Sequence, residues 1–429
     1  MIEAKAVMKV AAKVNVLKAV AMVLPMMTAG VGTVAVGTGL LAFTAPAAHA
    51  AAKQAVSAKV GKPLAEAQGL AQAKKFKEAL VKVKEAQAMP NKSPFEENTV
   101  NEFLAYVLIN LGDYTGAAKA YEDSLASGMV APAQMEQRLK TIIQLNYQSK
   151  NYAKVQTFGQ RYLKDVGPNA DITLLMAQAY YIQKDYANAA KITESLIKQS
   201  GGKPKEDVLK LLMSCQHNLD QRDKVVVTLE QLLTLYPSDG YWKDMISYQQ
   251  TQTGLTDRAN LEIYRLKSEV SGLENDELVE MAELSMALGV PGDALTALQK
   301  GFDGGLLGKG PGAQRENRLL QLAKTNSAED RKSLPALDTE SRSAPTGEAS
   351  VKLGEAYMSY GDYAKSVEAI TRGISKGGLK SIDEAQLHLG LSLAKLKRNK
   401  EANAAFNAVP AASKLQKVAK LWSIRLGKA

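Results

Sequence analysis

Apolar residues recur at three- and four-residue steps along most of the chain, as in Leu175, Ala179 and Ile182. That period is the stripe of an amphipathic α-helix. The stripes are short and come in pairs: Asp171–Gln183 is followed by Tyr186–Gln199, and the stripe Tyr114–Ser127 follows another that ends before Gly112. Between the members of a pair stands a tight, small or polar turn, and Asp in that turn is placed to cap the helix that follows. No stretch alternates as a half-buried strand would, so the pattern predicts an all-α chain.

The pairs repeat. A turn, an aromatic, two further residues and then a small residue occur together as Gly112-Asp113-Tyr114-Thr115-Gly116-Ala117. They return as Lys184-Asp185-Tyr186-Ala187-Asn188-Ala189 and as Gly361-Asp362-Tyr363-Ala364-Lys365-Ser366. Weaker copies centre on Phe76 and Tyr152, and degenerate ones put Arg222, Thr256, Pro291 and Asn399 at the aromatic position. Successive anchors lie 34 to 38 residues apart, except for one gap of 72 between Pro291 and Tyr363, where a further unit is expected near residue 327. A fixed period of this length is the mark of a stacked repeat array, in which no unit buries its apolar face alone. The small residue three after each anchor predicts a close approach of the two helices.

These residues resemble the tetratricopeptide-repeat family. Leu353-Gly354-Glu355-Ala356-Tyr357 followed by Gly361-Asp362-Tyr363 matches the family's first-helix and turn pattern. Leu389-Gly390, Ala402 and Phe406 match in the last unit, Ala117 and Tyr121 in the second, and Pro237 stands at the family's terminal proline. The family's first-helix tryptophan is absent, and Trp242 and Trp422 lie elsewhere. The resemblance covers roughly residues 58–429. It implies a right-handed α-α superhelical solenoid of about ten helical hairpins that binds protein or peptide partners on its concave face.

Composition adds a compartment. Lys5, Lys9, Lys13 and Lys18 precede an uncharged stretch, Ala19 to Ala47, which ends in Ala48-His49-Ala50. A basic start, an apolar run and an A-x-A site read as a secretory signal cleaved after Ala50, giving a periplasmic or secreted protein. An uncleaved anchor is the other reading of the same stretch, which Gly30, Gly32, Gly37 and Gly39 dilute. Removing residues 1–50 lowers the formal charge from +10 to +7, a mild excess spread along the chain. No basic patch with interleaved aromatics occurs, so no nucleic-acid partner is expected. The organisation is then a signal at 1–50, an N-terminal array at 51–300, a degenerate repeat at 301–346 and C-terminal repeats at 347–429. In the degenerate part, Gly301 to Gly312 is rich in glycine, Arg315–Thr325 reads as helix, and Ser333 to Gly347 reads as loop.

Candidate chemistry is sparse. One cysteine excludes a disulfide framework and a multi-thiolate metal site. Cys215 and His217 are two apart on a predicted helix and point to different faces, so they form neither a ligand pair nor a nucleophile pair. His388 is expected in helix packing or at the surface. Gly305-Leu306-Leu307-Gly308-Lys309-Gly310 lacks the Ser or Thr after the lysine and the strand before the loop that nucleotide binding requires. Catalytic residues, metals and cofactors are therefore not expected.

In a solenoid the first helix of each unit lines the concave face. Alignment on the small turn residue puts Tyr106, Gln144, Gln178, Ser214 and Tyr248 at equivalent places, with Asn218 one turn beyond Ser214. Tyr106, Gln144, Gln178, Tyr181, Asn218 and Tyr248 form the candidate groove, whose amides and phenols suit an extended peptide backbone. Later units turn acidic through Glu283, Glu348, Glu355 and Glu384. The family's chaperone-carboxylate clamp of Lys, Asn and Arg is not carried over, because Tyr, Gln and Ser occupy those positions. A signal followed by such an array resembles helper proteins of Ton- or Tol-type energy-transduction and secretion systems. A peptidoglycan- or glycan-associated binding protein or hydrolase helper is the alternative, with Tyr180, Tyr241 and Trp242 as material for a sugar slot but no convincing carboxylate pair.

Overall fold

The computed structural model describes residues 56–427, so the expected signal segment lies outside the described residues. These residues form twenty α-helices and no strand. The chain divides into two compact units, Met1–Arg222 and Asp223–Ala429.

The first unit contains α1 (Ala58–Gln72), α2 (Phe76–Ala88), α3 (Pro94–Asn110), α4 (Tyr114–Ala126), α5 (Pro132–Gln148), α6 (Tyr152–Asp165), α7 (Ala170–Ile182), α8 (Tyr186–Gln199) and α9 (Glu206–Asn218). Each helix packs on the next, and first helices of adjacent hairpins also touch, as α5 with α7 and α7 with α9. One core cluster runs from Val60 to Ala179. Buried Arg138 crosses between hairpins: its guanidinium stacks 3.9 Å from the Tyr121 ring centre and reaches Glu102 at 2.5 Å.

The second unit holds α10 (Arg222–Leu235, beginning at the boundary), α11 (Asp239–Gln250), α12 (Asp257–Val270), α13 (Asn275–Ala287), α14 (Pro291–Asp303), α15 (Ala313–Ser343), α16 (Glu348–Ser359), α17 (Tyr363–Lys376), α18 (Ile382–Lys395), α19 (Asn399–Asn407) and α20 (Gln416–Leu426). This unit folds back on itself: α12 contacts not only α11 and α13 but also α20 near the end of the chain. Lys420 on α20 reaches Glu230 at 2.6 Å, and Lys414 donates to the Gly254 carbonyl at 2.6 Å. In α12, Ala259 and every residue from Leu261 to Leu266 are buried, so the helix is enclosed on all sides.

The expected hairpin register is present throughout. Eight of the nine anchors are the first residue of a helix, and the ninth, Thr256, caps the next one by accepting a hydrogen bond from the Ala259 amide at 3.2 Å. Two residues before every anchor the backbone enters the left-handed region, from Lys74 (φ 60°) to Lys397 (φ 61°). Glycine takes this position at 112, 254, 289 and 361, while Lys74, Lys150, Lys184, Asp220 and Lys397 take it without glycine's freedom. The following amide then bonds back to the preceding helix, as Asp113 to the Leu108 carbonyl at 2.9 Å and Asp362 to that of Tyr357 at 2.9 Å. This is the Schellman closure of a helix end. Three residues after each anchor the side chain is buried in all nine hairpins, including Ala79, Ala117, Ala189, Ala259 and Ser366.

Arg315–Thr325 is helical as expected, but the residues that follow it depart from expectation. No turn occurs at 327, and the Ser- and Pro-containing stretch after Ser333 is not a loop. Instead α15 is one helix of 31 residues with Pro335 inside it. Pro335 leaves the Arg331 carbonyl without its helical donor, which ordinarily breaks or kinks a helix. Tertiary contacts outweigh that cost here. Leu320, Ala323, Ser327, Leu334 and Ser341 are buried on one face that keeps its period through the proline. Arg372 on α17 donates to Asp338 at 2.8 Å and to the Ser341 hydroxyl at 3.0 Å. Lys376 donates to the carbonyls of Arg342 at 2.9 Å and Ala344 at 2.6 Å, placing a cation on the negative end of the helix.

Candidate functional site

The expected groove residues occupy successive first helices, α3, α5, α7, α9 and α11, but not in equal ways. Tyr106 is half-buried between Phe76, edge-on at 6.2 Å, and Phe103, stacked at 6.0 Å; burial raises its hydroxyl pKa. Gln144 is half-buried on α5. Tyr181 packs edge-on against Tyr186 across the turn at 5.3 Å and lies beside Ser214 and exposed Asn218. The Asn218 amide donates to the Ser214 carbonyl at 2.7 Å. Gln178 departs from expectation: it is 4% exposed, so it belongs to the interhelical packing and offers no surface to an incoming segment. Its neighbours Ala177 and Ala179 are fully enclosed as well, because α7 is covered by helices on more than one side. Tyr248 is half-buried on α11, in the second unit.

The acidic positions of the later units are not a free acidic face. Glu355 is buried and ion-paired, Glu283 pairs with Arg315, and Glu348 accepts from the Lys380 amide at 3.1 Å. Glu355 belongs to a buried network that enclosed α12 assembles. Arg265 donates to Glu262 at 2.5 Å, one turn earlier, and to Asp293 on α14 at 2.8 Å. His388 on α18 meets Glu262 at 2.9 Å. Arg258 pairs with Glu355 on α16 and with Glu384 at 3.1 Å. Burial pushes the Glu262 carboxyl up, but Arg265 and then His388 outweigh it and hold it at about 2. Burial likewise opposes the charge on Arg265, and Asp293, Glu262 and Glu355 together raise its pKa above the ordinary value.

Glu262, Glu355 and His388 bring three potential ligand atoms within 4.8 Å of one another. Arg265 stands among them, its Nη1 2.5 Å from Glu262 Oε1 and 3.3 Å from His388 Nε2. The positive charge a divalent ion would supply is already provided by Arg265 and Arg258, and the group acts as an ion-pair junction of α12, α14, α16 and α18. The sequence reading missed it because the partners lie up to 126 residues apart. The available signal was an Arg and a Glu standing inside an otherwise apolar stretch of α12.

Beside this junction the second unit has a half-open cavity of about 660 Å³, bordered by α12 to α18 and by Trp422 of α20. Arg265 and Asp293 belong to both the junction and the cavity wall. Gly292 allows α14 to reach the end of α16, since a Cβ there would stand 2.5 Å from the Ser359 hydroxyl and 2.8 Å from its carbonyl. Buried Cys215 takes no part in any site; burial pushes its thiol up to about 12. No helix among the described residues is long and apolar enough to cross a membrane.

No curated protein matches the chain. Among solved structures it is similar to one of Naa15/Naa10 bound to HypK-THB, at 15% identity and a TM-score of 0.40, over 82% of this chain and 53% of that one. The chain thus spans about half the length of that relative. It is similar to a tetratricopeptide repeat protein from Parabacteroides merdae at 11% identity and a TM-score of 0.30, over 79% of this chain and 100% of that one. It is also similar to the complex of the TPR2AB domain of yeast Sti1 with pHSP90, at 13% identity and a TM-score of 0.22, over 62% of this chain and 98% of that one. Residues 351–415, which hold most of α16 together with α17, α18 and α19, match the family model described as tetratricopeptide repeat.

Proposed function

We propose that this protein is a non-enzymatic scaffold of the periplasm that binds segments of other proteins on the first-helix face of its repeats. The observation that carries the reading is the recurrence of one hairpin geometry nine times, with a left-handed turn at the same position and a buried side chain five residues after it. Such an array presents side chains at fixed intervals on a pre-formed surface, which lowers the ordering cost of binding an extended partner. The match of residues 351–415 to a tetratricopeptide repeat supports a protein-binding role. Within the first unit, Tyr106, Gln144, Tyr181 and Asn218 supply the surface, and Gln178 supports it from beneath. The basic start, apolar run and Ala48-His49-Ala50 support export, and the signal-plus-array layout favours a place in an envelope energy-transduction or secretion assembly.

In-cell cross-linking followed by pull-down from envelope extracts and mass spectrometry tests this. A recurring protein partner is expected, and the mature N-terminus should be Ala51. Each hydrogen bond to a partner is worth about 0.5–1.5 kcal/mol net, so Gln144→Ala with Asn218→Ala should weaken capture by about tenfold. Recovery of glycan fragments without protein would favour the glycan-associated alternative. Retention of Met1 in a membrane fraction would defeat cleavage.

A further inference from the structure

We propose that the cavity of the second unit is a binding site for a small organic anion, a molecule with one or two carboxylate- or sulfonate-type groups on a compact apolar body. This site is separate from the first-helix face of the first unit and needs no protein partner. A volume of about 660 Å³ lies in the range of small-molecule sites. Its wall carries five basic side chains against two acidic ones. Three of the five are engaged: Arg265 with Asp293 and Glu262, Lys395 with Glu269 at 2.6 Å, and Arg331 over the Tyr360 ring at 4.7 Å. Lys300 on α14 and Lys324 on α15 have no such partner among the described residues, and both are exposed at the cavity's margin. The uncompensated charge at this opening is therefore positive.

Two further features define the ligand. Leu278, Met281 and Leu295 supply an apolar wall, which suits a hydrophobic body rather than a bare inorganic ion. Trp422 also borders the cavity, and because its indole nitrogen is closed off from solvent it offers that space ring surface rather than a donor. Neither Lys300 nor Lys324 supports a neighbouring helix through an ion pair among the described residues, so both are available to a ligand at the cavity's margin.

The test is calorimetric titration of the full chain with 8-anilinonaphthalene-1-sulfonate, with uncharged N-phenyl-1-naphthylamine as its partner probe. One saturable site for the sulfonate is expected, with the neutral probe bound at least about tenfold more weakly. Lys300→Gln with Lys324→Gln should weaken sulfonate binding by a similar factor, Lys300→Arg with Lys324→Arg should retain it, and Thr296→Trp should block it by filling the cavity. Both lysines are exposed, so these variants fold, and melting curves recorded alongside verify that. Equal binding of the two probes, unchanged affinity in the glutamine pair, or equal loss in the glutamine and arginine pairs would each overturn the proposal.

Discussion

An L-residue in the left-handed region costs about 1–2 kcal/mol that glycine avoids, while glycine costs about 0.5–1 kcal/mol of extra unfolded-state entropy. Lys150 and Lys184 therefore hold turn positions that glycine fills at 112 and 361. Lys184→Gly should stabilise the first unit by about 0.5–1 kcal/mol, read as a raised urea midpoint. Ala189, fully buried three residues after its anchor, has no room to grow. Ala189→Leu should cost about 1–3 kcal/mol through overpacking, and an unchanged melting temperature would show that the hairpin contact is placed wrongly. At Cys215, burial and the raised thiol pKa predict no labelling by a thiol reagent at pH 8 until the protein is denatured. The anchors and their small partners were legible in the sequence because backbone geometry demands them locally, within six residues. Gln178 was placed by aligning units on the small turn residue, which fixes its position on the first helix but not its burial; that follows from how many helices surround α7.

At the scale of elements, α12 and α15 are the two whose character comes from their surroundings. The Pro335 and Ser signals in α15 are genuine local preferences for a break, outweighed by a buried face and by Arg372 and Lys376 reaching from α17. Arg372→Ala should lower unit stability by about 1–3 kcal/mol and loosen residues after Pro335, seen as faster amide exchange there than in Ala313–Asp330. For α12, Arg265→Ala leaves Glu262 and Asp293 without their cation and should cost about 3–5 kcal/mol. The pH dependence has a definite sign. A carboxyl depressed to about 2 stabilises the fold fully above its ordinary value of 4.5, and that contribution drains away as pH falls toward 2. The second unit should thus weaken through this interval, and Glu262→Gln should be less stable at pH 7 while losing less on acidification. Both tryptophans, Trp242 and Trp422, lie in this unit, so indole emission follows it selectively.

Across the whole molecule, stability is built mainly from contacts between successive helices. In such chains cooperativity is limited by nearest-neighbour interfaces, so unfolding followed by indole emission should not coincide with unfolding followed by far-ultraviolet circular dichroism. The exception to purely local wiring is the return of α20 to α12, with Lys420 on Glu230 and Trp422 in the cavity wall. Ending the chain at Ser413 removes that return and should lower the urea midpoint of the second unit while leaving the first unit's transition in place. The array as a whole could be anticipated from its period, because each unit restates the same local rule. The return could not, because its partners stand as far as 190 residues apart and nothing in the spacing of hairpins requires the last to meet an earlier one.

That return also decides how the second unit responds to force. Under tension at its C-terminal end, an open stack of hairpins peels from the tip, each hairpin yielding at low load because it is held by one neighbour. Here the tip is latched onto α12, so load applied near Gly427 passes directly to the third of the unit's eleven helices. Residues 223–429 should resist until that latch gives and then extend in a single rip rather than a staircase, which makes this half of the molecule a mechanical fuse with one threshold.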